Sequence, residues 1–263
     1  MKKTAERKYF DKEWSGMRAS MKSFLKEGQQ EDLHQFRLQI KKLRAFLILS
    51  DSEAHNPKLI KHFKLVKRIF NEAGVIRDAY INLELGKAYQ IKTPGFEKNQ
   101  QQQLATAIKR FNLRYDKHVA KIKYTYKKLK REIKPISEEP INLFYQNQLQ
   151  QISTILGEQK FNKQLHDCRK QLKILIFNHK LFQPELHIGF NKDYLGQVQT
   201  AIGDWHDIVL AKALFSSKTE KDKEVIVNLK KQDLKNKKYI TDLTKDFYRQ
   251  ATTVEEVLTV ELS

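Results

Sequence analysis

His34, Arg37, Lys41 and Arg44 follow one another at intervals of three and four residues, the spacing that lines side chains along one face of a helix. A histidine with three permanent cations is neither a nucleophile–base pair nor a metal set; its chemistry is the gripping of anions. Arginine offers a planar fork to two anionic oxygens, lysine a mobile point charge, and histidine a ring donor that strengthens once protonated. With His34 at zero on a helical wheel, Arg37, Lys41 and Arg44 fall at about 300°, 340° and 280°. Leu33, Phe36, Ile40, Leu43 and Leu47 flank that line on one edge, and Leu38, Ala45 and Leu49 on the other. Asp32, Gln35, Gln39 and Lys42 form the polar side opposite. Like charges sunk between apolar strips are costly unless an anion neutralises them, and the chain has no acidic stripe of comparable density.

The pattern occurs twice. Leu33-His34 to Lys41 matches Leu165-His166 to Lys173 at the Leu, His, Arg, Gln and Lys positions, so that His166, Arg169 and Lys173 form a second line. Ile174 and Ile176 stand where the first copy has Lys42 and Arg44, and Lys180 supplies a charge one turn later. Downstream, Gly74-Val75-Ile76-Arg77-Asp78 answers to Gly203-Asp204-Trp205-His206-Asp207, and Arg114-Tyr115 to Lys238-Tyr239. The offsets shrink only from 132 to 129 to 124, which describes two divergent halves.

The elements that must carry these lines are helices. Nine glycines and five prolines in 263 residues are too few for an architecture of many tight corners. Hydrophobic spacing predicts helices over about 5–27, 31–50, 58–73, 75–91, 96–133, 141–158, 160–182, 191–203, 204–215 and 219–250. Gly74 and Gly203 fall at the predicted breaks, with Asp78 in the first turn that follows. Pro135 to Pro140 reads as the linker, giving repeats over 1–136 and 137–263. Arg110, Arg114, Lys117 and Lys121 extend as a further cationic array along the predicted helix 96–133, with Lys231, Lys235 and Lys238 as its counterpart. The acidic end, Val254-Glu255-Glu256-Val257, carries no clear structural signal.

Fifty Lys and Arg against 31 Asp and Glu leave a formal charge of +19, so a polyanionic partner is expected. With 40% hydrophobic residues the chain is no disordered basic tail. The lone Cys168 excludes a disulfide framework and a cysteine zinc site, and it fits a cytoplasmic setting. The basic start runs into Tyr9-Phe10-Asp11 with no apolar core of a secretory signal, and no apolar run reaches the roughly 20 residues of a membrane span.

The pattern from His34 to Arg44, its copy from His166, and the Gly74 to Asp78 motif together resemble the CHAD family, the histidine-bearing α-helical domain, over essentially the whole chain. The resemblance implies an all-α fold of two pseudo-symmetric four-helix bundles around a basic central cavity. It further implies binding of inorganic polyphosphate, often at polyphosphate granules and beside other granule proteins. The residues carried over are His34, Arg37, Lys41, Arg44, His166, Arg169 and Lys173, with Lys180 added from the spacing; the second half departs from the pattern at Ile174 and Ile176. A second rank of candidates comprises Lys42, Arg77, Arg114, Lys117, Lys121, Lys231, Lys235 and Lys238. RNA or another nucleic acid is the first rival ligand, disfavoured because no aromatics interleave the basic lines. A phosphohydrolase is the second, disfavoured by the lack of P-loop glycines or a His-Glu-x-x-His metal motif. The expectation is therefore a binder with no catalytic residues, cofactor or metal, in which a linear polyanion engages both lines in a shared cavity.

Overall fold

The computed structural model describes residues 4–52, 57–90, 95–215 and 220–253. Among them are eleven α-helices and one short 3-10 turn, and no strand. The all-α expectation holds. The predicted tail Val254-Glu255-Glu256-Val257 lies outside the described residues. Among the described residues no helix is long and apolar enough to cross a membrane.

The described chain forms two compact units. The first comprises residues 1–136 with 208–232, and the second 137–207 with 233–263. One unit boundary falls at 136/137, and residues 208–232 group with the first unit.

In the first unit, helix α1 (Ala5–Glu27) starts under the Thr4 hydroxyl, which accepts from the Arg7 amide. It ends where Gly28 adopts the left-handed conformation, its amide bonded to the Phe24 carbonyl. Helix α2 (Gln30–Ser50) turns straight back along it. Phe10, Trp14, Met17, Met21 and Phe24 on α1 meet Leu33, Phe36, Ile40, Leu43 and Leu47 on α2, all buried at helical spacing. A buried Asp51 holds the next turn: its carboxylate accepts the Ile60 amide at 2.8 Å and the Leu59 amide at 3.3 Å, and so fastens α3 (Lys58–His62). Helix α4 (Lys64–Ala88) follows after Phe63, then α5 (Phe96–Leu113) and α6 (Tyr115–Glu132). Phe111 packs edge-on against Phe24 and Phe36, drawing α5 onto the α1–α2 pair. Ile208, Ala211, Phe215 and Leu229 add a satellite core beside Tyr89.

In the second unit, α7 (Glu138–Gly157) and α8 (Lys163–Phe182) bury Ile141, Tyr145, Leu149 and Ile152 against Leu165, Cys168, Leu172 and Leu175. The Tyr145 hydroxyl donates to the Leu175 carbonyl at 3.0 Å, so the one polar atom of that large ring is satisfied inside the core. Helix α9 (Lys192–Leu214), α10 (Glu220–Leu243) and α11 (Phe247–Thr252) complete the described chain, with 192–207 of α9 and 233–243 of α10 in this unit.

Several predicted boundaries move, and those at two glycines matter for function. Gly74 and Gly203 are not breaks: α4 and α9 run through them without interruption. Asp78 consequently lies mid-helix and not in a first turn. The predicted helix 58–73 divides at Phe63 and the predicted helix 219–250 divides after Leu243; the predicted helix 96–133 divides at Arg114, so the array from Arg110 to Lys121 is not one line.

Candidate functional site

Both lines of cations are where the wheel puts them, and each has acquired a neighbour. On α2, His34, Arg37 and Lys41 are half-buried and Arg44 is exposed. Across from them α4 contributes Arg77, also half-buried, and the exposed Asp78. Burial lowers the His34 pKa, and the charges of Arg77, Lys41 and Arg37 lower it further against the pull of Glu31. Arg37 is also lowered, first by burial and then by Arg77, with Asp78 opposing. These five side chains therefore act on one another as a single electrostatic cluster.

Arg37 is anchored within it. Its Nη1 donates to the Phe70 carbonyl at 2.8 Å, and its guanidinium carbon lies 4.1 Å from the centre of the Phe70 ring, a cation–π arrangement. One edge of the fork is thus committed to α4, which fixes the direction of the rest.

The second unit repeats the arrangement with different partners. His166, Arg169 and Lys173 are half-buried on α8, and Lys180 is exposed. Arg169 Nε donates to the Gln199 carbonyl at 3.3 Å. The His166 ring stacks on His206 of α9, with centroids 4.2 Å apart. Burial, then the His206, Lys170 and Arg169 charges, push His166 down to about 4, against Asp167. Lys173 is lowered by burial and by Arg169, with Asp207 opposing. His206 occupies the place that Arg77 has in the first unit. That correspondence was visible in the aligned Gly74 and Gly203 motifs, but an exchange of arginine for histidine hid its electrostatic meaning.

Among the described residues no three His, Cys, Asp or Glu side chains come together as a metal site. The charges of the exposed Asp78 and Asp207 instead favour the charged forms of Arg37 and Lys173.

The family model of the CHAD domain matches residues 8–216. The chain belongs to the CHAD domain family. Its fold is similar to a crystal structure of the CHAD domain from the plant Ricinus communis, with a TM-score of 0.67 and 16% identity over 92% of this chain and 90% of that one. Comparison with curated proteins gave no match.

The remaining candidates in this CHAD domain divide by what they touch. Lys42, on the side of α2 away from the His34 line, is turned to α1, where its Nζ lies 3.5 Å from the buried Glu13 carboxylate, so it serves the helix pair. Arg114, at the α5–α6 junction, is 3.3 Å from Glu72, and the buried His118 ring is 3.6 Å from the same carboxylate. Lys121 is half-buried near that histidine, whereas Lys117, Lys231, Lys235 and Lys238 are exposed. A cleft of about 730 Å³ between α4 and α5 is lined by the amides Asn71, Asn99, Gln102 and Gln103 among apolar and charged side chains. It shares no lining residue with the His34 cluster.

Five histidines, His34, His118, His166, His179 and His206, have pKa values below the ordinary 6.5, with burial the largest cause for each. The unfolded chain therefore binds more protons than the folded one once pH drops below about 6.5. Stability of the ligand-free protein should hold steady above that value and fall progressively toward pH 4, where His166 itself titrates. Urea midpoints measured from pH 8 to pH 4 check this; a midpoint rising across that range would contradict it.

Proposed function

We propose that this CHAD domain binds inorganic polyphosphate, without catalysing a reaction on it, through His34, Arg37, Lys41 and Arg77 in one unit and His166, Arg169, Lys173 and His206 in the other. Arg44 and Lys180 extend the two clusters toward solvent. The observation that carries this reading is the shared half-burial of His34, Arg37, Lys41 and Arg77 in the first unit and of His166, Arg169, Lys173 and His206 in the second, where burial first and the neighbouring positive charges second lower the pKa of His34 and His166. Such a cluster is relieved by dense negative charge. A phosphate chain offers about one charge per unit and no base to be stacked, so it rewards forks and ammonium groups alone. The charges of Asp78 and Asp207 act on Arg37 and Lys173 of the clusters, which supports a binding role over metal-assisted hydrolysis. The reading also places the protein in the cytoplasm, at polyphosphate deposits.

The test is a titration with polyphosphates of defined length, beside RNA of equal charge and orthophosphate. Saturable binding that favours polyphosphate over RNA supports the reading; equal affinity for RNA would redirect it to nucleic acid, and no binding at 150 mM salt would end it. Bound anion should also raise the histidine pKa values from their depressed state, so affinity should climb as pH falls below neutrality toward about 4. The window lies on the acid side of the neutral range that an ordinary histidine would give, because the rings start from lowered values.

A further inference from the structure

Glycine is the least favourable residue after proline for a helix interior, yet α4 and α9 each carry a buried one at the corresponding place. Backbone freedom does not explain them. Gly74 and Gly203 are not among the residues with positive φ, which are Gly28, Gly95, Gln90 and Gln159. Space does. A Cβ on Gly74 would lie 2.8 Å from Arg37 Nη1, and one on Gly203 would lie 2.6 Å from Arg169 Nη2 and 3.0 Å from its Cζ and Nε. By contrast Gly196, on α9 as well, would meet nothing within 4 Å.

The acceptor is the same in both units. Arg37 bonds the carbonyl of Phe70 and Arg169 that of Gln199, each four residues before the glycine. In an α-helix that carbonyl already receives the amide of the glycine itself, and its second lone pair takes the guanidinium. The guanidinium can reach it only by crossing the helix where the side chain is missing. We propose that Gly74 and Gly203 are positioning residues of the anion site: each forms a bare-backbone seat that fixes an arginine's direction, so that the nitrogens not spent on the carbonyl are held toward the ligand. This rests on the polyphosphate reading above, but the seat can be tested apart from it.

In the full chain, Gly74→Ala and Gly203→Ala would each be made alone and with Arg37→Ala or Arg169→Ala respectively. With the arginine present, alanine should lower the melting temperature. With the arginine gone, the same alanine should raise it by about 2 °C, since it then only improves helix propensity. An equal shift in both backgrounds would overturn the proposal. Polyphosphate affinity supplies the second readout: each single glycine variant should lose about tenfold, an ion pair's worth of geometry, while Gly196→Ala loses nothing. Coupled melting temperatures with unchanged affinity would make the arginines clamps between helices and defeat the positioning role. Should the unmodified protein bind no polyphosphate, the functional reading falls and the melting cycle alone decides the seat.

Discussion

Raising salt from 50 to 200 mM should weaken polyphosphate binding roughly a thousandfold. Seven permanent cations belong to the two clusters: Arg37, Lys41, Arg44 and Arg77 in the first, and Arg169, Lys173 and Lys180 in the second. Each phosphate neutralised releases part of a condensed counterion, with a slope of about 0.7 per contact for a flexible single chain. Seven contacts give a fall of about 5 in log K per decade of salt, and a fourfold increase covers about 0.6 of a decade. Isothermal titration at several salt concentrations reads the slope directly. A nearly flat affinity would mean that few of these cations touch the ligand.

The second large effect concerns the two arginines. Arg37→Gln and Arg169→Gln should each lower affinity for long chains by about ten- to a hundredfold, the range for losing a charge-assisted hydrogen bond. A long chain held by one cluster meets the other at high effective concentration, so both substitutions should register on it. A phosphate chain short enough to span one cluster should respond mainly to one of them. Neutral glutamine is the appropriate replacement, because a glutamate at 37 would set a half-buried carboxylate near Asp78 and leave the Phe70 carbonyl with no second donor. Circular dichroism would establish that the helices persist. If Arg169→Gln leaves long-chain affinity unchanged, binding belongs to the first unit, and Ile174 and Ile176 mark a second line that no longer takes phosphate.

The basic lines were legible because helical periodicity is local: His34, Arg37 and Lys41 are set on one face by the spacing alone. The pairing of Lys42 with Glu13 was not legible beyond its place on the polar side, since that contact depends on how α1 lies against α2. The glycines show the limit most clearly. Read along the chain, Gly74 and Gly203 are weak points in a helical pattern, and a boundary is the local inference. Their actual cause is an arginine on another helix, a tertiary demand that overrides propensity. The signal was present all the same, in that both glycines recur at one offset, each downstream of an arginine that recurs too. Arg114 carries the opposite lesson: hydrophobic spacing suggested one continuous helix, and a contact with Glu72 across to α4 accompanies a break there.

Cys168 lies on α8 between His166 and Arg169, yet it points the other way, fully buried, its thiol pushed up to about 12 by burial and then by Asp167. A sulfur held as the neutral thiol and shielded from solvent is a poor nucleophile. Oxidants and alkylating reagents should therefore pass the folded protein by, and the grip on phosphate should be indifferent to cellular redox poise. The same shielding makes the natural chain a silent background for spectroscopy. A cysteine introduced at an exposed position beside either cluster would be the sole site to accept a fluorophore or spin label, and each cluster could then be watched separately as the ligand arrives.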